Sequence, residues 1–172
     1  MRKVLGEAFF DRPTLTVARE LLGKFLVRKV GKKEIAFMII ETEAYDGPPD
    51  LGSHSAKGRT ERTEILFGPA GFWYVYIIYG LHNMLNVVTK RSGAAVLIRG
   101  VKGYPKPGTL TKALSITREL NKSKANKRSG LWVEDRGVAI SKKDIEAGPR
   151  IGIGYAGEWA QKPWRFVIKE KK

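Results

Sequence analysis

The chain has no cysteine, which removes disulfides, thiolate zinc sites, iron–sulfur clusters and cysteine nucleophiles together. Histidine is almost as scarce. The two copies, His54 and His82, belong to no HExxH pattern, and no acidic calcium-binding loop or P-loop occurs. The expectation is a protein without metal or other cofactor. No apolar run approaches the roughly 18 residues of a membrane span, and the opening MRKVLGEAFF is too short and broken for a signal peptide. An intracellular, soluble protein with no membrane partner is therefore predicted.

Acidic residues are few beside basic ones: 17 Asp and Glu face 32 Lys and Arg, a formal net charge of +15. A globular chain this basic attracts polyanions, of which nucleic acid is the commonest. A membrane surface would need a basic amphipathic helix with a long apolar face, and none is present. The densest basic run, RELNKSKANKR from Arg118 to Arg128, reads as a solvated loop. At 172 residues the length suits one domain, 1–172, able to bury about 70% of its unfolded surface without staples.

Residues 37–54, FMIIETEAYDGPPDLGSH, stand out. The apolar run Phe37 to Ile40 delivers Glu41, Glu43 and Tyr45 before Gly47, Pro48 and Pro49 break the pattern. On a strand these three share a face. Burying an ionised carboxylate costs several kcal/mol unless it is paired, so a strand-end pair suggests either a functional acid or ion pairs with nearby Lys and Arg.

Elsewhere, residues 11–23 carry a helix signature, with Asp11 or Thr14 as cap, Pro13 in the first turn, Leu15, Ala18, Leu21 and Leu22 on one face, and Gly23 as stop. Lys24–Val30 and Glu34–Ile40 read as a hairpin joined by Gly31, Lys32 and Lys33. Residues 46–63 form a long Gly/Pro/Ser/Thr-rich loop holding His54. On the strand Phe72–Tyr79, Tyr74, Tyr76 and Ile78 share one face, and Trp73, Val75, Ile77 and Tyr79 the other. After a turn at Gly80, Met84–Thr89 returns with Asn86 in apolar company, and the strand 94–99 ends on Arg99. A helix over Leu110–Leu120 and short strands at Leu131–Glu134, Val138–Ile140 and Trp164–Ile168 complete the set. The pattern predicts an α+β single domain: a curved, largely antiparallel β-sheet flanked by helices, with a protruding β-hairpin.

Singly, these features have ordinary readings, with tyrosines as core or surface aromatics and His54 and Asn86 as local hydrogen-bonding groups. A strand-end carboxylate, several aromatics, a histidine and an arginine in a basic domain also make up what base chemistry on DNA requires.

ETEAY at 41–45, His54-Ser55, YVYIIYG at 74–80, Asn86, Arg99, LWVEDRG at 131–137 and PRIGIGYAGEWAQKPWRF at 149–166 resemble the alkyladenine DNA glycosylase family, also called 3-methyladenine DNA glycosylase. The resemblance runs from Phe10 to about Ile168. It implies a monofunctional, monomeric glycosylase that flips alkylated or deaminated purines from double-stranded DNA and hydrolyses the N-glycosidic bond. Glu43 matches the base that activates water, and Arg99 a residue near the target phosphodiester. Tyr45, His54 and Tyr76 match the aromatics around the extruded base, Asn86 the residue that screens out guanine, and Ile153 the pocket wall. Tyr79 matches the side chain that fills the gap in the stack. Threonine stands at 109, where the family carries lysine, and Lys106 or Lys112 is the expected substitute. A non-catalytic binder of damaged or abasic DNA is the alternative.

Overall fold

The structure is a computed structural model, and it describes residues 1–170. Its elements are β1 (Lys3–Val4), α1 (Glu7–Phe10), α2 (Thr14–Leu21), β2 (Phe25–Val30), β3 (Lys33–Asp46), β4 (Trp73–Ile78), β5 (His82–Val88), β6 (Ala94–Val101), α3 (Pro107–Ala113), β7 (Leu131–Asp135), β8 (Ile145–Gly148) and β9 (Arg165–Ile168). Short 3-10 turns fill the connections, among them His54–Lys57 and Gly154–Gln161. Nine strands form one open sheet, ordered β1-β7-β2-β3-β6-β5-β4, with β9 on the far half of β3 and β8 on β9. Every strand pair is antiparallel. No described helix is long and apolar enough to cross a membrane.

The organising element is β3. The hairpin run read from the sequence stops at Ile40, but the strand itself continues through the carboxylates to Asp46, as the shared face of Glu41, Glu43 and Tyr45 requires. Its first half pairs with β2, and its second half lies between β6 and β9. Bulges on either side of Glu41 mark the change of partner, and such irregularities bend a strand and re-aim its neighbours. The helix α2 packs against β3 and β6, burying Val17, Ala18 and Leu21. There the Thr42 hydroxyl donates to the Ala18 carbonyl at 2.8 Å, so a polar residue in the core is satisfied. Phe10, Trp73, Leu26, Ile39, Ile98 and Phe166 fill that core.

Three local expectations change. Pro13 occupies the N-cap of α2 with no side-chain cap, and the Thr14 hydroxyl instead meets Thr89 at 2.9 Å. The helix expected over Leu110–Leu120 runs earlier and stops at Ala113. Ser115 takes a φ of 50°, its N–H reaches the Lys112 carbonyl, and the Ile116 N–H reaches Thr111. That pair of bonds is a Schellman stop closed by serine instead of glycine. Finally, Val138–Ile140 is not a strand. Ile140 packs onto Gly23, where a Cβ would lie 2.7 Å from Ile140 Cγ1, so this stretch spends its apolar side chain on the α2–β2 turn.

Candidate active site

One rung across the sheet explains how distant residues meet. Arg165, Glu43, Leu97, Asn86 and Tyr74 lie opposite one another in turn on β9, β3, β6, β5 and β4. Directly paired residues of an antiparallel sheet project to the same face. Glu43, Leu97, Asn86 and Tyr74 accordingly line one cavity of about 540 Å³, within the range of small-molecule pockets. All eight candidate residues read from the sequence, Glu43, Tyr45, His54, Tyr76, Tyr79, Asn86, Arg99 and Ile153, line it as well.

Glu43 is fully buried. Arg99 Nη1 donates to its Oε1 at 3.1 Å, and the Ile151 backbone N–H donates to its Oε2 at 2.8 Å. Burial pushes the carboxyl above its ordinary value, and Arg99, the Ile151 amide and Arg150 offset that rise only in part. Glu41 sits beside it, 3.2 Å from Arg99 Nε and 3.0 Å from Arg165 Nη1. Glu41 is thus paired with two arginines, and Glu43 with Arg99 alone. Arg99 falls at the bulge, skipped between the Glu41–Gly100 and Thr42–Ile98 pairs, which lets one guanidinium bridge both acids.

The opposite wall is aromatic. His54 Nδ1 and the Tyr74 hydroxyl are 2.7 Å apart, and the His54 and Tyr76 rings lie 4.4 Å centroid to centroid. Burial, with help from Arg62 and Lys57, lowers the His54 pKa to about 4, so the imidazole is neutral at physiological pH. Tyr45 lies on the Glu43 side with the Arg150 guanidinium 4.7 Å from its ring centroid. Asn86 is buried and donates from Nδ2 to the Tyr74 carbonyl at 3.3 Å. Ile153 is buried next to Gly52, where a Cβ would come within 2.9 Å of Ile153 Cδ1.

At the cavity mouth the β4–β5 hairpin turns through Tyr79 and Gly80, with φ of 51° and 63°. Left-handed φ at both central residues suits a tight hairpin, but a bulky residue there is strained. Tyr79 is 88% exposed and Leu81 76%, so the turn presents apolar side chains to solvent. Lys106 and Lys112 are also exposed, flanking Pro107 of the cavity rim.

The family model described as methylpurine-DNA glycosylase (MPG) matches residues 8–106 and 104–172. The chain belongs to the methylpurine-DNA glycosylase family. A relative from Myxococcus xanthus is 45% identical over 183 residues, spanning 98% of this chain and 91% of its own. One from Methanocella arvoryzae is 47% identical over 188 residues, covering 96% and 92%. A third, from Legionella pneumophila (strain Paris), is 43% identical over 179 residues, covering 99% and 96%. All three carry the name "Putative 3-methyladenine DNA glycosylase".

Some parts of this cavity are not legible in the sequence. Tyr74, the partner of His54, was visible only as a residue sharing a face with Tyr76. The resemblance marks Ile151 to Tyr155 as pocket-wall backbone, but the bond from the Ile151 N–H to Glu43 has no sequence signal. Gly152, Gly154 and Gly157 have the spacing of a dinucleotide-binding loop, but they open a kinked 3-10 stretch after an antiparallel strand. That is not the strand–turn–helix context in which the motif holds a pyrophosphate.

Proposed function

We propose that the chain is a monofunctional DNA glycosylase. It works as an intracellular monomer on double-stranded DNA, flips an alkylated or deaminated purine into the cavity, and hydrolyses its N-glycosidic bond to leave an abasic site. The observation that carries this reading is Glu43, a fully buried carboxylate at the end of an aromatic-walled cavity in a chain of net charge +15.

In this mechanism Glu43 accepts a proton from water as the water attacks C1′, while the departing purine takes the electrons of the C1′–N bond. A basic carboxylate suits that work, because burial raises its proton affinity. Its negative charge also lies beside the developing oxocarbenium ion. Tyr45 stacks on the base from one side, and His54 and Tyr76 from the other. An alkylated purine such as 3-methyladenine or 7-methylguanine is cationic, and each good ring contact favours it by about 0.5 to 2 kcal/mol. A neutral His54 adds no opposing charge. Asn86, fixed by its bond to Tyr74, excludes a guanine exocyclic amine by volume. Tyr79 enters the stack and offsets the few kcal/mol that flipping costs.

The test is single-turnover base release from duplexes containing one 7-methylguanine or one hypoxanthine, comparing the native chain with Glu43→Gln. Release that falls at least about 10²-fold in the variant, with abasic-duplex binding retained, supports the reading. Tight abasic binding with no release by the native chain would instead make this a damage binder.

A further inference from the structure

Arg150 is a buried cation that the mechanism above does not use. Its side chain and that of Asp50 are both fully buried. The guanidinium forks onto Asp50, Nη1 to Oδ2 at 2.6 Å and Nη2 to Oδ1 at 2.8 Å. It also donates to the Ala44 carbonyl at 3.0 Å and the Trp159 carbonyl at 3.2 Å, and it lies between the rings of Tyr45 and Trp164. Asp50 in turn accepts the backbone N–H groups of Asp46 and Gly52. One side chain thus ties together the end of β3, the loop after it, and the chain on both sides of the Gly154–Gln161 turn.

Stability alone is a weak account of this arrangement. Isolating two charges from water often gains nothing over an apolar pair of similar volume, and Arg150 Nε has no hydrogen-bond partner among the described residues. What the clamp does control is its neighbour. Ile151 is half exposed, and Gly152 has a φ of 81°. Among the described residues, the hydrogen bonds holding 149–152 are those of the Arg150 side chain, Arg165 Nε to the Pro149 carbonyl, and Ile151 N–H to Glu43. Arg150 grips the carbonyl of Ala44, the residue that follows Glu43, so donor and acceptor of the Ile151–Glu43 bond are fixed to one frame.

We propose that Arg150, clamped by Asp50, is a positioning residue that seats the Ile151 N–H on Glu43 Oε2 and thereby keeps the carboxylate aimed and ionised for its work on water. This rests on the reading of Glu43 as the base of a glycosylase. The charged and titratable groups facing Glu43 are Arg99 from β6, Arg165 from β9, Glu41 and Tyr45 from its own strand, Tyr76 from β4, and Arg150 behind Ala44. Loss of the clamp removes one N–H bond, which favours the ionised form, together with the Arg150–Asp50 pair, of which the cation acts on Glu43 in the same direction. Each well-made N–H bond to a carboxylate is worth about one pKa unit.

The experiment compares the native chain, Arg150→Met/Asp50→Leu and Arg150→Lys. The double variant removes both charges at similar volume. Arg150→Lys keeps the ion pair but has no fork for the two carbonyls, and it serves as the folded comparison if the double variant is unstable. Two readouts are taken: the pH profile of single-turnover 7-methylguanine release, and the titration of the Glu43 carboxyl by carbon NMR. The clamp predicts that the acidic limb and the carboxyl titration both move up by about one pH unit in the double variant, and in the same direction in Arg150→Lys. Release at a pH below both limbs then falls about tenfold, while the alkaline plateau is kept. A lower plateau with an unmoved limb and unmoved titration in a folded variant overturns it, because a purely structural role scales the rate without shifting the base. If the native chain releases no base but the carboxyl titration still moves, the clamp stands and the glycosylase reading falls.

Discussion

As the proposed base, Glu43 carries opposing demands. A base must hold a proton well, and the surest way for a fold to achieve this is to withhold water from the carboxylate, which also makes ionisation costly to the fold. Burial raises the Glu43 pKa above its ordinary 4.5 despite Arg99. As pH rises past that value the unfolded chain loses the proton first, so the folded state holds more protons and stability declines with pH. Glu43→Gln should therefore unfold at a higher urea midpoint than the native chain at pH 8. The gap should close as pH falls below the ordinary carboxylate range. A midpoint equal to or below native at pH 8 would mean that Arg99 and the Ile151 amide outweigh the burial cost. His54 has the opposite slope: with a folded value of about 4, it takes a proton in the unfolded chain first as pH drops, so it lowers stability between pH 6.5 and 4. It stays neutral over the range in which excision is assayed, leaving Glu43 to set the acidic limb.

Among the elements, the hairpin of β4 and β5 shows local strain beside the site. Tyr79 holds a left-handed φ of 51°, a region costing an ordinary L-residue roughly 1–2 kcal/mol and asparagine less. Its ring is exposed and contributes little packing that would compensate. Tyr79→Asn is expected to raise stability by about 0.5 to 1 kcal/mol in urea unfolding while slowing base release from duplex DNA. Release from a single strand, which needs no wedge, should change far less. Equal losses on both substrates would separate Tyr79 from flipping.

The same hairpin shows what the sequence could and could not reveal. Period-two alternation was enough to place Tyr74 and Tyr76 on the cavity face and Trp73 and Val75 in the core, and the apolar run before Glu41 marked the strand that carries Glu43. Pairing was not legible. The rung from Arg165 through Glu43, Leu97 and Asn86 to Tyr74 joins five strands drawn from across the chain. The bulge that turns Arg99 onto both acids is a property of two strands in register. Nor did any local signal distinguish Arg150 from the other cations, because its burial depends on Asp50, 100 residues away. The stop after α3 is not legible because serine fills a position that glycine usually occupies.

For the molecule as a whole, charge and chemistry are separable. The net +15 is spread over exposed Lys and Arg, and Arg62, Arg118 and Lys122 gather in a groove behind the Tyr74–Tyr76 wall. Such cations attract DNA through counterion release, which depends steeply on salt. The charges that position Glu43 are of another kind: Arg99 and Glu43 are shielded from solvent, with side-chain exposures of 16% and 0%, and bulk ions screen shielded pairs weakly. Raising salt from about 50 to about 200 mM should therefore weaken binding to a lesion duplex by at least about 10²-fold, as even about four neutralised phosphates require. The single-turnover release rate of the saturated complex should shift by less than about threefold. Titrating duplex at each salt concentration, then measuring release at saturation, separates the two quantities. A release rate that fell in step with affinity would place the salt-sensitive cations inside the reacting complex, and the division between a screened surface and a shielded site would be lost.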